Sequence, residues 1–363
     1  MKRYQSLPAD TLDPGRNTGL ILGGIGGPDA PASVEAFLHN LLMDPAIMPL
    51  PRPFARLFGA WVVRSKSAEI RRRYTEIDPR GISPHLGWTR QQASQLAFRL
   101  GERGLQVRAE PAMRYWHPYA EESVRKLLAE KVQQFIVLPL LPQYTANMSG
   151  NILGGIVDKI RELASGYPLH VLPEWHLLPG YVATLAGQAE QAIRDWQSAG
   201  HAASECAVVF SGQSLPQRLL RKDDPYQDQI HATVAAVHQQ LTGNLADIGD
   251  WWGLVRGADR PLLAYQRKVS PFCWLRPDLV NETRRLASAG CRHLLVVPLT
   301  YSCEQIETLY ELDIRLAGIA ARTGIQGFQR TAAINLDGRW LTSLADHLAT
   351  TAFRGYRTES ASD

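Results

Sequence analysis

Residues 18–42 read TGLILGGIGGPDAPASVEAFLHNLL, and the order of residue types along them sets the fold class. Thr18 to Ile25 is a run of apolar residues and glycine, which reads as a buried strand. Gly26-Gly27-Pro28-Asp29 breaks the run with turn-forming residues. From Ala32 to Leu42 the apolar residues return at helical spacing. Strand, turn and helix in that order open a unit of parallel α/β structure.

The same rhythm continues along the chain. A basic, amphipathic stretch covers 53–77. Helices are expected at 89–103, 121–130 and 149–163, with strands at 106–113 and 134–141. The second half repeats the pattern. Strands are expected at 169–173, 206–211, 262–266, 293–298 and, weakly, 327–333. Helices alternate with them at 180–197, 226–240, 277–289, 303–323 and 338–349. Pro139 and Pro298 each close an apolar strand, in IVLPL and LLVVPL, and that echo suggests two similar domains. The expected division is a mobile polar tail (1–17), a first α/β domain (18–172), a second (173–337) and a polar tail (351–363). The helix 338–350 is placed so that it can pack back on the first domain. Residues 242–260 read as a long surface connection carrying Trp251 and Trp252.

Composition narrows the function. The 363 residues fit two ordinary domains. Hydrophobic residues make up 45% and charged residues 20%, which is a globular balance. A net charge of +4 is mild for this length and gives no sign of a nucleic-acid partner. Cys206, Cys273, Cys291 and Cys303 form no CxxC, so neither a disulfide framework nor a zinc ribbon is expected. The first residues lack the apolar core of a secretory signal, and no apolar run approaches the ~20 residues needed to span a bilayer. A cytoplasmic location is the default, with a peripheral membrane contact left open. Oligomeric state is not legible.

Ligands of open α/β sheets bind beyond the carboxyl ends of the strands, so the segments just after strands carry the information. Gly23–Pro28 lets a backbone come close to a flat or anionic ligand. It misses the GxGxxG pattern of a dinucleotide site, and tight helix packing explains it as well. Met113–Pro118 sets Arg114 among Tyr115, Trp116 and His117, suited to a planar anion or to a packed strand end. Pro142–Gly150 offers hydroxyls and amides at a helix start. Ser211-Gly212-Gln213-Ser214 lacks the elbow of a serine hydrolase. In CEQIETLYELDI (303–314), Glu304, Glu307 and Glu311 stand at i, i+3 and i+7, one helical face. Such a column could take up protons or pass a divalent cation, or be a solvated acidic face.

These segments together carry a resemblance. GGIGGPDAP, AMRYWHP, LPLLPQYTANMSG, SLPQRLLRKDDPYQDQ, YQRKVSPFCWLRP and IETLYELDI make the chain resemble ferrochelatase, the enzyme that inserts ferrous iron into a porphyrin, from about residue 18 to about residue 350. The resemblance implies the chelatase fold, two flavodoxin-like (Rossmann-like) domains with parallel sheets and a porphyrin cleft between them. It implies a lyase of haem biosynthesis that takes Fe²⁺ as a substrate and a porphyrin as its small-molecule partner. No cofactor is required. Without a cysteine cluster, no iron–sulfur centre is expected. The Ile25-Gly26-Gly27-Pro28 form resembles the protoporphyrin-using branch.

The resemblance also places a site. Glu307 keeps the family's catalytic carboxylate, but the family histidine falls on Gln213, in Ser211-Gly212-Gln213-Ser214-Leu215-Pro216 where relatives have Ser-Phe-His-Gly-Leu-Pro. The expected metal residues are Glu307, Glu304 and Glu311. The expected porphyrin contacts are Ile25, Tyr74, Ser83, Arg114, Tyr115, Gln266, Lys268, Trp274 and Tyr301. Arg64, Lys66 and Arg71–Arg73 could attract an anionic substrate or membrane. A neutral amide cannot take a proton near neutral pH as an imidazole can. Glu307 is therefore expected to act as the base, and Gly212 beside Gln213 suggests a widened pocket. Two alternatives stay open: a diverged enzyme using another metal, macrocycle or small molecule, and a catalytically silent porphyrin-binding protein.

Overall fold

A computed structural model describes residues 7–48, 50–220, 222–245, 261–266 and 273–356. The chain forms two compact units. One runs to Trp175 and resumes at Leu341; the other is His176–Trp340.

The first unit is built on a parallel sheet of β1 (Thr18–Gly24), β2 (Val107–Met113), β3 (Gln134–Pro139) and β4 (Leu169–Val171), in the order β2-β1-β3-β4. Every residue of β1 is buried, as its unbroken apolar run requires of a central strand. Its helices are α1 (Val34–Met43), α2 (Arg52–Ile77), α3 (His85–Glu102), α4 (Ala120–Ala129) and α5 (Ser149–Leu163). Val124 and Leu127 of α4 and Ile152 and Ile156 of α5 join Ile21 and Val137 of the sheet in one core cluster. Burying each such side chain contributes about 1.5–3 kcal/mol.

The second unit repeats the plan with β5 (Cys206–Gln213), β6 (Leu262–Gln266), β7 (His293–Pro298) and β8 (Gly327–Arg330), in the order β6-β5-β7-β8. Pro139 and Pro298 thus end the third strand of each sheet. The helices are α6 (Pro179–Ser198), α7 (Tyr226–Asn244), α8 (Leu279–Ser288), α9 (Ile306–Leu309) and α10 (Ala317–Arg322). Val209, Leu294 and Val296 pack with Leu312, Leu316 and Ala320. The last helix, α11 (Gly338–Ala352), is tied to α3 by a pair of bonds from Arg103 to Asp346 Oδ1, at 2.8 and 2.5 Å.

One expected element differs. Residues 303–323 do not make one helix. Gln305 is extended, with φ −156°, and α9 starts only at Ile306. A π-helical turn follows over Glu311–Leu316, in which the Arg315 N–H reaches back five residues to the Tyr310 carbonyl at 2.9 Å. The ordinary helix resumes at Ala317. The extra residue per turn lets Leu312 and Leu316 reach the core while Glu311 and Arg315 face a pocket.

Candidate active site

In each sheet the strand order reverses beside the first strand formed, at β1/β3 and at β5/β7, and the carboxyl ends there are where ligands bind in such sheets. In the second unit this position is a pocket. Gln213 ends β5, Gln266 ends β6, and Tyr301 follows β7. With Glu307, Glu311 and Arg315 they line a small pocket open to solvent.

The local bonds explain how Gln213 is held. Its N–H donates to Thr300 Oγ1 at 3.2 Å, and its carbonyl accepts the Tyr226 hydroxyl at 2.7 Å. Both partners hold its backbone, and the half-buried side chain lines the pocket. Gln266 is engaged by the protein: its carbonyl accepts Ser214 N–H at 3.1 Å and its Nε2 donates to Ser211 Oγ at 3.3 Å. The Tyr301 hydroxyl lies 3.4 Å from Gln266 Oε1. Burial, with the Glu307 carboxylate next, pushes the Tyr301 phenol well above its usual range, so it stays neutral and able to donate.

The expected column of three carboxylates is corrected. Glu304 precedes α9 rather than lying on it, is buried, and does not line the pocket. Its Oε1 accepts Arg330 Nη1 at 2.9 Å and the Ala333 N–H at 2.8 Å. Arg330 in turn grips Asp313 through two 2.7 Å bonds. Glu304 is thus a buried structural ion pair, and the pocket carries Glu307 and Glu311 alone of the three. Among the described residues, no three His, Cys, Asp or Glu side chains gather as a metal-holding cluster. The widened pocket is corrected as well. A Cβ on Gly212 would lie 3.2 Å from the buried Tyr265 ring, so Tyr265 fills that space. Trp274 is half-buried, bridges Pro216 and does not line the pocket. Lys268, Trp251 and Trp252 lie outside the described residues.

In the first unit, Ile25, Tyr74, Ser83, Arg114 and Tyr115 gather round the glycine turn after β1. Gly24 and Ile25 carbonyls accept the Arg114 and Tyr115 N–H groups at 2.9 and 3.1 Å. Gly26 has φ +88°, a conformation that favours glycine. A Cβ on Gly27 would overlap Ser83 Oγ and lie 3.7 Å from the Tyr74 hydroxyl. The glycine run is therefore needed for packing whatever else it does.

Arg114 and Tyr115 converge on a residue that the sequence did not mark. Asp44, buried just after α1, accepts from Arg114 Nε and Nη2 (3.2 and 3.0 Å), the Tyr115 hydroxyl (3.1 Å) and Asn151 Nδ2 (2.9 Å). Burial would raise the Asp44 pKa, but Asn151, the Ala46 N–H and Arg114 outweigh it and hold the carboxyl below its usual range. Asp44 sits in an apolar run before Pro45 and shows no pattern. Arg315 could have been found, because it stands four residues after Glu311.

The basic stretch on α2 also changes meaning. Arg71, Arg72 and Arg73 pair with Glu35, Glu76 and Glu69, and Lys66 pairs with Glu69. Besides its charged residues, α2 exposes a set of large apolar side chains: Phe54 (66%), Leu57 (75%), Phe58 and Trp61 (63%). Their spacing of i, i+3, i+4 and i+7 puts them on one face, flanked by exposed Arg52, Arg56 and Arg64. Among the described residues no helix is long and apolar enough to cross a membrane.

Comparison with known proteins gives the chain's family. A family model described as Ferrochelatase matches residues 17–352. The ferrochelatase of Thermosynechococcus vestitus is 33% identical over 334 residues, covering 90% of this chain and 80% of that protein. That of Gloeobacter violaceus is 32% identical over 333 residues, covering 90% and 95%. Among solved structures, one titled as CbiX, the terminal enzyme for biosynthesis of sirohaem in denitrifying bacteria, superposes with a TM-score of 0.49 at 12% identity, covering 92% and 99%.

Proposed function

The chain belongs to the ferrochelatase family of metal-chelating lyases, and from that premise we propose that it inserts Fe²⁺ into a porphyrin with Glu307 as the base. The supporting observation is that Glu307 shares one pocket with Gln213 and Tyr301 at the carboxyl ends of β5 and β7. Insertion releases two pyrrole protons for each divalent ion taken up. Gln213 can donate or accept a hydrogen bond there but takes no proton near neutral pH. Tyr301 holds its own proton. Glu311 is engaged by Arg315 at 2.7 Å. Glu307, the carboxylate that the ferrochelatase resemblance places at the reaction, accepts each proton and releases it to solvent before the next.

The exposed face of α2 supports a second part of the proposal. Phe54, Leu57 and Trp61, ringed by arginines, suit a peripheral contact with an anionic membrane surface, where porphyrins partition.

The test is anaerobic metallation followed by absorbance, with protoporphyrin or coproporphyrin and Fe²⁺, Zn²⁺, Co²⁺ or Ni²⁺. Glu307→Gln is expected to slow insertion by about 10²–10⁴-fold, the usual worth of a general base. Insertion at the wild-type rate in Glu307→Gln would remove Glu307 from the role.

A further inference from the structure

Between α4 and α5, over the end of β2, the first unit has a cleft of about 410 Å³, within the size range of small-molecule sites. Its floor is apolar, from Met113, Ile152 and Ile156, and its rim carries Arg114, Arg125 and Lys159 against Glu121 and Glu122. The two carboxylates are already engaged. Glu121 Oε1 accepts Arg125 Nε and Nη2 at 3.0 and 2.9 Å, and its Oε2 lies 3.6 Å from Lys159 Nζ. Glu122 meets His117 Nδ1 through both oxygens, at 3.1 and 2.9 Å, and its Oε2 accepts the Tyr119 N–H at 2.6 Å. The groups left over are donors. Asp44 holds Arg114 by Nε and Nη2, so Arg114 Nη1 has no hydrogen bond among the described residues, and Arg125 Nη1 has none either. Gly155 on α5 marks where Arg114 Nη1 lies, because a Cβ there would come to 2.5 Å from it. The missing side chain makes the room that brings this guanidinium to the cleft wall.

We propose that this cleft binds a small organic acid, with its carboxylate on the spare donors of Arg114 and Arg125 and its apolar body on the floor. A cation has less to meet, because every carboxylate oxygen that lines the cleft already faces a cation or an N–H. A wholly polar anion such as free phosphate would leave the apolar floor uncovered. The cleft lies within the first unit and shares no residue with the Glu307 pocket. The inference therefore goes beyond the metal-inserting reading and does not depend on it.

The test is titration calorimetry of the whole protein with phenylacetate, beside phenylacetamide, phenethylamine and inorganic phosphate. Phenylacetate is expected to bind about tenfold more tightly than each of the other three, the worth of a hydrogen bond to a charged group. Gly155→Ala fills the room beside Arg114 Nη1 at a helical position where alanine is the better helix former, so the fold is kept. It is expected to weaken phenylacetate by about tenfold. Arg125→Gln removes a charge and is expected to weaken it as well, whereas Arg125→Lys is expected to keep most of the affinity. Phenylacetamide bound as tightly as phenylacetate would overturn the proposal, as would unchanged affinity in Gly155→Ala or in Arg125→Gln. Absence of phenylacetate binding to the wild-type protein would overturn it too. Phenylacetate that still binds with protoporphyrin present supports a site of its own. Displacement by protoporphyrin would overturn the proposal, because the cleft would then belong to the porphyrin site.

Discussion

The Tyr226 hydroxyl donates to the backbone carbonyl of Gln213 at 2.7 Å, which fastens the first turn of α7 to the last residue of β5. The phenol is fully buried, and that burial pushes it well above its usual range, so it remains a donor. The end of β5 is thus rigid while the side chain at 213 lines the pocket. A residue exchanged at this point inherits a fixed backbone, and the chemistry of position 213 can be varied with little change elsewhere.

Gln213→His is the direct use of that rigidity. An imidazole at this place adds a proton acceptor that titrates near neutral pH. Metallation is expected to rise by at least about tenfold and at most by the 10²–10⁴-fold worth of a positioned base. A rise confined to pH above the imidazole pKa would identify the histidine as the acceptor. Activity that appears only in Gln213→His would mean that the native protein binds porphyrin without metallating it. An unchanged rate would show that Glu307 already handles both protons.

Much of the fold was legible in the residue pattern. Apolar runs closed by Pro139 and Pro298 mark the third strand of each sheet because those strands are covered on both faces. The site was less legible. The helix starts only at Ile306, after an extended Gln305 that no spacing marks, so Glu304, Glu307 and Glu311 read as one column when Glu304 lies before the helix, locked to Arg330. Gly212 reads as space, but space belongs to neighbours, and Tyr265 takes it. Asp44 is one acid in an apolar run, and only the fold brings Arg114, Tyr115 and Asn151 to it.

Asp44 is therefore a strong test of the first unit. Asp44→Asn removes the charge that balances Arg114 and turns one acceptor into a donor facing other donors. Leaving a partly buried guanidinium unmatched is expected to cost about 2–4 kcal/mol. Urea unfolding of the full chain measures it as a lower midpoint. A loss under about 0.5 kcal/mol would place the Arg114 charge in solvent rather than in this hub.

The α2 face predicts lipid-dependent sedimentation. Wild-type protein is expected to bind vesicles containing phosphatidylserine and to bind pure phosphatidylcholine vesicles much less. Replacing Phe54, Leu57 and Trp61 together by serine removes most of the exposed apolar area, each side chain being worth about 1.5–3 kcal/mol when fully buried. Partial burial at an interface still gives an expected drop of more than about tenfold in partitioning. Equal binding by the triple variant would point to some other surface.

His176 predicts how the second unit responds to acid. Burial holds its imidazole at about 4, below the ordinary value of 6.5. A depressed histidine pKa means that the unfolded chain takes up the proton first. The stabilisation is complete above pH 6.5 and is lost as pH falls from 6.5 towards 4; it amounts to about 3 kcal/mol. His170 and His347, in the other unit, are also pushed down by burial, so a shallower background slope remains. Thermal unfolding of His176→Phe across this range is expected to depend less on pH than wild type, because phenylalanine does not titrate. An identical slope in the two proteins would mean that His176 gains water as easily as proton, and that the acid sensitivity arises elsewhere.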